Sequence, residues 1–331
     1  MADEIAALLE ELPGPDEEAR AAVSARSSQV LRPAGALARL DELAGWLAAW
    51  QRSPSPAVRS PAVIVFVADH GVAVNDVSAY PASITAEVLR ALREGAATAA
   101  VLARQVGAEL HVVDAGVGRP TGDLLSEPAL DEARFAECFE TGRRSVAGLD
   151  ADLLVLGEMG IANTTAAAAL CAALLGCRAE DWTGRGTGID DATLARKIDV
   201  VEAARGRVRA EAPPLEVLRQ LGGCELVACA GALVEARRRS IPVVLDGFVV
   251  SAAVAPLQML RHDALDHCVA GHCSSEPGHR LLLEKLGLRP LLDLDLRLGE
   301  GSGGLLAVPL IRAAAAAVTE VATFQEWASG G

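Results

Sequence analysis

The chain has 331 residues, 51% of them hydrophobic and 22% charged, which is the balance of a soluble globular protein with a core large enough for about two domains. Lys and Arg number 30 against 44 Asp and Glu, a net charge of −14. This excludes a broad face for nucleic-acid phosphates or an anionic membrane, so any phosphate must be small and held locally. Aromatic residues make up 3%, with Tyr80 the one tyrosine and Lys197 and Lys285 the only lysines. The core must therefore be built from Ala, Val and Leu, and the positions of Tyr80 and Lys197 stand out.

The first 50 residues read as helical, with apolar positions three and four apart in Ile5, Leu8, Leu9 and Leu12 and again in Leu37, Leu40, Leu43 and Leu47. The start is acidic rather than basic, unlike a secretory leader, and the Ala-rich stretches Thr165 to Leu175 and Ala313 to Val318 are too short to span a bilayer. Seven cysteines without a C-x-x-C fit reduced thiols in a cytoplasmic protein. Prolines 54, 56 and 61 then break the helical pattern from Arg52 to Pro61.

Six short apolar runs follow: Ala62 to Ala68, Glu109 to Asp114, Asp152 to Leu156, Pro242 to Leu245, Asp266 to Gly271 and Pro290 to Leu294. Each leads into a turn and a helical pattern, which predicts an α/β protein with a mainly parallel six-stranded Rossmann-like sheet flanked by helices. Ligands of such sheets bind beyond the carboxyl ends of the strands. From about Leu305 the pattern is helical again, so residues 1–55 and 305–331 are expected to form a small helical domain beside a large α/β domain of residues 56–304.

The loops after the strands hold the candidate chemistry. Asp69 and His70 end the first run as a proton relay or as loop anchors, and Ser83 or Thr85 can cap the next helix. Tyr80 either walls a flat heteroaromatic ligand or anchors its loop. In LGEMGIANTT, Gly157 and Gly160 allow close backbone approach, and Asn163 or Thr164 can cap a helix whose N–H groups attract an anion. Glu158 there either accepts bonds from ribose hydroxyls or is a surface glutamate. Gly184, Gly186 and Gly188 form a second glycine-rich loop, and Lys197, one helix length on, either reaches a phosphate or is a solvated helix residue. His267, Cys268, His272 and Cys273 lack zinc-clamp spacing and read as buried thiols and loop-anchoring histidines. SSEPGH offers Ser274, Ser275 and Gly278 as anion donors. Glu300, between Gly299 and Gly301, is either a dehydrated general base or a turn glutamate in solvent.

Taken in order, VFVADHGV, VSAYP, GEMGIANTTAAAAL, GRGTGIDD, VVLDGF, SSEPGH and LRLGEGSG resemble the nicotinate-nucleotide:dimethylbenzimidazole phosphoribosyltransferase family of cobalamin biosynthesis. The likeness spans residues 30–326. It departs at Ala162, where glycine is usual, at Gly304, where alanine is common, and at Glu87, where glutamine is expected.

The resemblance implies transfer of ribose 5-phosphate from nicotinate mononucleotide to 5,6-dimethylbenzimidazole with inversion at C1′, in a homodimer without metal or other cofactor. Glu300 would be the catalytic base. Ser78, Tyr80 and Glu87 would border the benzimidazole, Glu158, Gly160, Asn163 and Thr164 would hold ribose and nicotinate, and Gly186, Lys197 and Ser275 would lie near the phosphate. An NAD-linked oxidoreductase would need a strand directly before G-x-G-x-x-G, which is lacking. A non-catalytic nucleotide sensor would need Glu300 to point away from the ligand.

Overall fold

In the computed structural model, which describes residues 2–330, Pro61–Ala68 (β1), Glu109–Gly116 (β2), Leu153–Met159 (β3), Val243–Leu245 (β4) and Cys268–Ala270 (β5) form one all-parallel sheet in the order β2-β1-β3-β4-β5. The run PAVIVFVA is apolar throughout because both faces of β1 are covered. Ile64 and Phe66 pack with the helices Glu132–Ala147, Asn163–Leu175, Cys224–Arg238 and Phe248–Leu260. Val63, Val65 and Val67 face the helices Ala38–Gln51, Ile84–Arg93, Thr98–Val106 and Ser302–Thr319. The two-residue period of a strand makes this division.

The six-stranded sheet is corrected to five strands. The Gly271 N–H bonds to the Leu245 carbonyl at 2.8 Å, and the Gly271 backbone then passes so close to Gly304 that an added Cβ would lie 2.8 Å from its Cα. Forced past that contact, the chain leaves the sheet, and His272–Cys273 (β6) pairs in parallel with Leu292–Asp293 (β7). The sixth apolar run thus pairs with the continuation of the fifth.

The apolar C-terminal stretch is also longer than the sequence reading, because Gly303 and Gly304 are helical as well. Helix Ser302–Thr319 has 18 residues and is apolar and long enough to cross a membrane. Its Leu305, Val308 and Ile311 are fully buried against the valine face of the sheet, which marks a core helix. The N-terminal pattern resolves into helices Ala2–Glu10, Glu17–Ser27 and Ala38–Gln51. Arginines fasten the termini: Arg26 donates to the Val318 carbonyl at 2.9 Å, Arg32 to that of Ala317 at 2.8 Å, and Arg237 to that of Pro13 at 2.7 Å.

Candidate active site

In the order β2-β1-β3 the chain winds outward in opposite directions from β1, and a crevice opens at the carboxyl ends of β1 and β3. A cleft lies there, lined by the ends of β3 and β4 and by the glycine-rich loops. Ser78, Glu158, Gly160, Asn163, Thr164, Gly186 and Lys197 all line it. The helices Asn163–Leu175 and Phe248–Leu260 both begin at its wall, and in the first of them the Asn163 and Thr165 N–H groups bond to the Gly160 and Ala162 carbonyls at 3.2 and 3.0 Å.

The turn after β3 departs from the expected cap. Ala162 occupies the N-cap at φ +72°, a left-handed conformation that explains why glycine is the usual residue there. Asn163 and Thr164 are already helical, and their side chains turn to the cleft residues instead: Asn163 Nδ2 donates to Glu158 Oε2, and Thr164 Oγ1 accepts from Lys197 Nζ at 2.8 Å. Likewise neither Ser83 nor Thr85 caps the helix Ile84–Arg93 by its side chain. Thr85 Oγ1 accepts the Ile161 N–H at 3.3 Å and so ties that helix to the β3 turn.

Glu158 is only 5% exposed, which removes the surface-glutamate reading. Burial first, then the neighbouring Glu225 and Asp246 carboxylates, pushes its pKa well above the ordinary value, against the hydrogen bond from Asn163. Lys197, 1% exposed, is no solvated helix residue either. Its Nζ donates to Thr164 and to the Gly184 carbonyl at 3.0 Å, and burial lowers its pKa to about 8 against the opposing pull of Glu276. Glu276 Oε1 accepts the Gly186 N–H at 2.7 Å, closing the glycine-rich loop over the lysine.

Glu300 lies in the turn Gly299–Gly301 that leads into Ser302–Thr319, not at the end of a strand, and is 7% exposed rather than solvated. Its N–H bonds to the Glu158 carbonyl at 2.9 Å, and Oε2 accepts a long 3.4 Å bond from the Ala99 N–H. Gly157 permits this approach, because a Cβ there would fall 2.4 Å from the Gly301 nitrogen. Burial raises the Glu300 pKa, with Asp246 adding to the rise. Gly299 lines the cleft and Glu300 stands directly behind it.

Four candidates stand outside the lining, Glu300 among them. Tyr80 is half exposed and its N–H donates to Ser78 Oγ at 3.3 Å. Glu87 is exposed and paired with Arg90 at 2.6 Å. Ser275 is exposed with its N–H on the Leu296 carbonyl at 2.9 Å, while its neighbours Ser274 and Glu276 do line the cleft. The Asp69–His70 pair divides as opposite strand faces require: Asp69 Oδ2 accepts the Gly118 N–H at 2.7 Å, and His70 pairs with buried Glu225. His267 and His279 are buried anchors, bonded to the Leu233 carbonyl at 3.3 Å and to the Ser274 N–H at 2.9 Å.

Arg185, Phe248, His272 and Arg297 also line the cleft and were missed. Arginine supplies nearly all the positive charge of this chain, so nothing in composition separates these two from the rest. The VVLDGF and LRLGEG motifs pointed to their neighbourhoods only.

A phosphoribosyltransferase family model, DBI_PRT, matches residues 12–328. The chain belongs to this phosphoribosyltransferase family. Membership makes it an enzyme. Proteins named nicotinate-nucleotide–dimethylbenzimidazole phosphoribosyltransferase are 48% identical in Methylocella silvestris over 325 residues, 98% of this chain and 95% of the relative. The one from Ruegeria pomeroyi is 48% identical over 319 residues, 96% and 94% of the two chains. A crystal structure of the Thermus thermophilus phosphoribosyltransferase of that name matches with a TM-score of 0.88 at 40% identity, covering 96% of this chain and 99% of the other. The phosphoribosyltransferase fold thus places its cleft where six of the seven sequence motifs converge: VSAYP, GEMGIANTT, GRGTG, VVLDGF, SSEPGH and LRLGEG.

Proposed function

We propose that this phosphoribosyltransferase moves ribose 5-phosphate from nicotinate mononucleotide to a nitrogen of 5,6-dimethylbenzimidazole, giving α-ribazole 5′-phosphate and nicotinate with inversion at C1′. The observation that carries this reading is one cleft lined by a buried cation, Lys197, and by a buried carboxyl with raised pKa, Glu158, with a base candidate of raised pKa, Glu300, next in the chain to the lining residue Gly299. In this reading the phosphate is met by Lys197, the Gly186 loop and Ser275, the ribose and nicotinate by Glu158, Gly160, Asn163 and Thr164, and the benzimidazole by the Ser78 to Glu87 segment. The pyridinium of nicotinate mononucleotide leaves as a neutral ring nitrogen and needs no proton. The benzimidazole nitrogen gains positive charge on attack, and Glu300 relieves it by taking the proton from the second nitrogen. Inversion demands attack opposite to departure, which requires the three ligand parts to be held by separate loops.

The test is to incubate the protein with both substrates and follow α-ribazole phosphate. Product is expected, and none under conditions where both substrates bind would sink the reading. Glu300→Gln is expected to keep substrate binding and lose about a hundredfold or more in kcat; near-normal turnover rejects its role.

The same reading takes the protein as a cytoplasmic homodimer, with residues 1–55 and 305–331 as a small helical domain. Seven unpaired cysteines support the compartment. Large apolar side chains left in solvent, Phe324 at 60% and Trp327 at 71% exposed, support a partner surface. The terminal domain is supported by a separate apolar cluster of Ala19, Val23, Ala44, Ala48 and Val318 and by the antiparallel bridge of Val30 with Thr323.

A further inference from the structure

The turn that carries Glu300 is an unfavourable piece of backbone. Gly299, Glu300 and Gly301 have φ of +83°, +62° and +79°, and Glu300 is a non-glycine residue in the left-handed region. Such a turn persists only when its surroundings over-determine it. Glu300 N–H is held by the Glu158 carbonyl, and Ser302 bonds back to the Gly299 carbonyl through N at 3.0 Å and Oγ at 2.6 Å. The remaining restraint comes from β4. Asp246, fully buried, accepts the Gly301 N–H on Oδ2 at 3.0 Å and the Gly304 N–H on Oδ1 at 2.9 Å.

Asp246 therefore sits where an anion would bind at the start of helix Ser302–Thr319, and each oxygen is spent on one N–H of the Glu300 segment. His272 Nδ1 lies 3.6 Å from Asp246 Oδ1, outside hydrogen-bond range, with its ring edge against Gly303. We propose that Asp246 is a positioning residue for the phosphoribosyl transfer, an internal anion that locks the Gly299–Gly301 turn and so fixes Glu300 at the cleft. The inference rests on the reading of Glu300 as the base. An amide cannot replace the Asp246 carboxylate, because Asn offers one acceptor and would turn an NH₂ toward the other N–H donor.

The test compares Asp246→Asn, Glu300→Gln and the double variant in the full-length enzyme. D246N is expected to lower kcat on the order of tenfold to a hundredfold with the KM for nicotinate mononucleotide nearly unchanged, since a misplaced base affects turnover more than phosphate binding. The groups facing Glu300 are Glu158, Asp246 and the Ala99 N–H, with His272 behind Asp246. Removing the Asp246 charge eases Glu300 ionisation, so the acid limb of the kcat profile moves to lower pH. In the E300Q background D246N is expected to cost nothing further.

A normal kcat and acid limb in D246N, or a full additional loss in the double variant, overturns the proposal. Normal turnover by E300Q overturns the base reading instead, so the two failures are distinguishable. Should D246N fail to fold, amide hydrogen exchange on the wild type decides: Gly301 and Gly304 are expected to be strongly protected, and rapid exchange at both rejects the clamp.

Discussion

At Lys197 burial and chemistry act in opposite directions. Enclosing the ammonium lowers its pKa from the ordinary 10.5 to about 8, while Thr164 and the Gly184 carbonyl use two of its three donors and leave one for a ligand. A phosphate dianion requires the charged form, which is present below pH 8 and lost as the pH rises through that value. The KM for nicotinate mononucleotide is therefore expected to climb above about pH 8. Lys197→Met is expected to raise that KM about tenfold or more at pH 7 and to abolish the climb, since one charge-assisted bond to phosphate contributes about 1.5–3 kcal/mol. Initial rates across pH 6–9 check both, and a KM in the variant that still rises above pH 8 would assign the titration to another group. The neighbouring Glu158 shows the converse effect: burial and then the nearby Glu225 and Asp246 carboxylates raise its pKa.

At the level of elements, two helices on the Ile64 and Phe66 face of the sheet lie unusually close to one another. Helices Glu132–Ala147 and Cys224–Arg238 cross with Gly142 against the Ala228 carbonyl and Gly231 against the Phe139 carbonyl, where an added Cβ would sit 1.9 and 2.0 Å from the oxygens. Backbone cannot give way as a flexible side chain can. Gly231→Ala is expected to destabilise the fold by about 1–3 kcal/mol or more despite the better helix propensity of alanine. Urea denaturation checks this through a lower midpoint at unchanged slope, and an unchanged midpoint would mean the helices separate easily. The sequence showed these two helices but not their crossing, because a glycine inside a helical pattern reads only as a weak position. The same limit applies to Gly304, where a methyl group would lie 2.6 Å from Val155 Cγ1, so alanine is not a free exchange at this departure from the family pattern.

Over the whole molecule, a −14 charge is compatible with the proposed phosphate site because the attraction is local, supplied by the buried Lys197 ammonium and by Arg185 and Arg297 in the cleft lining. The cleft is far smaller than the surface over which the net charge is spread. The exposed Phe324 and Trp327 lie three apart on one helix, Phe324–Ala328, and neither is buried within the chain. Sedimentation equilibrium is expected to give twice the chain mass, with Trp327→Ser shifting the balance toward monomer. A wild-type protein that sediments as a monomer at micromolar concentration would reject the homodimer.

By itself the sequence determined the alternation of strand and helix, the parallel α/β class and the order of the ligand-binding loops. These are local properties: strand and helix periods mark buried faces, and Gly, Asp and Pro mark turns within a few residues. The tertiary structure alone decided that the chain leaves the sheet after Gly271 and that the run at Pro290 to Leu294 pairs outside it, since that depends on the contact of Gly271 with Gly304. It also decided that Lys197 and Glu158 are buried with displaced pKa values, and that Asp246 reaches Gly301 across 55 residues of chain. Burial, Coulomb interaction and hydrogen bonding depend on distance through space, and no spacing along the chain reports that distance.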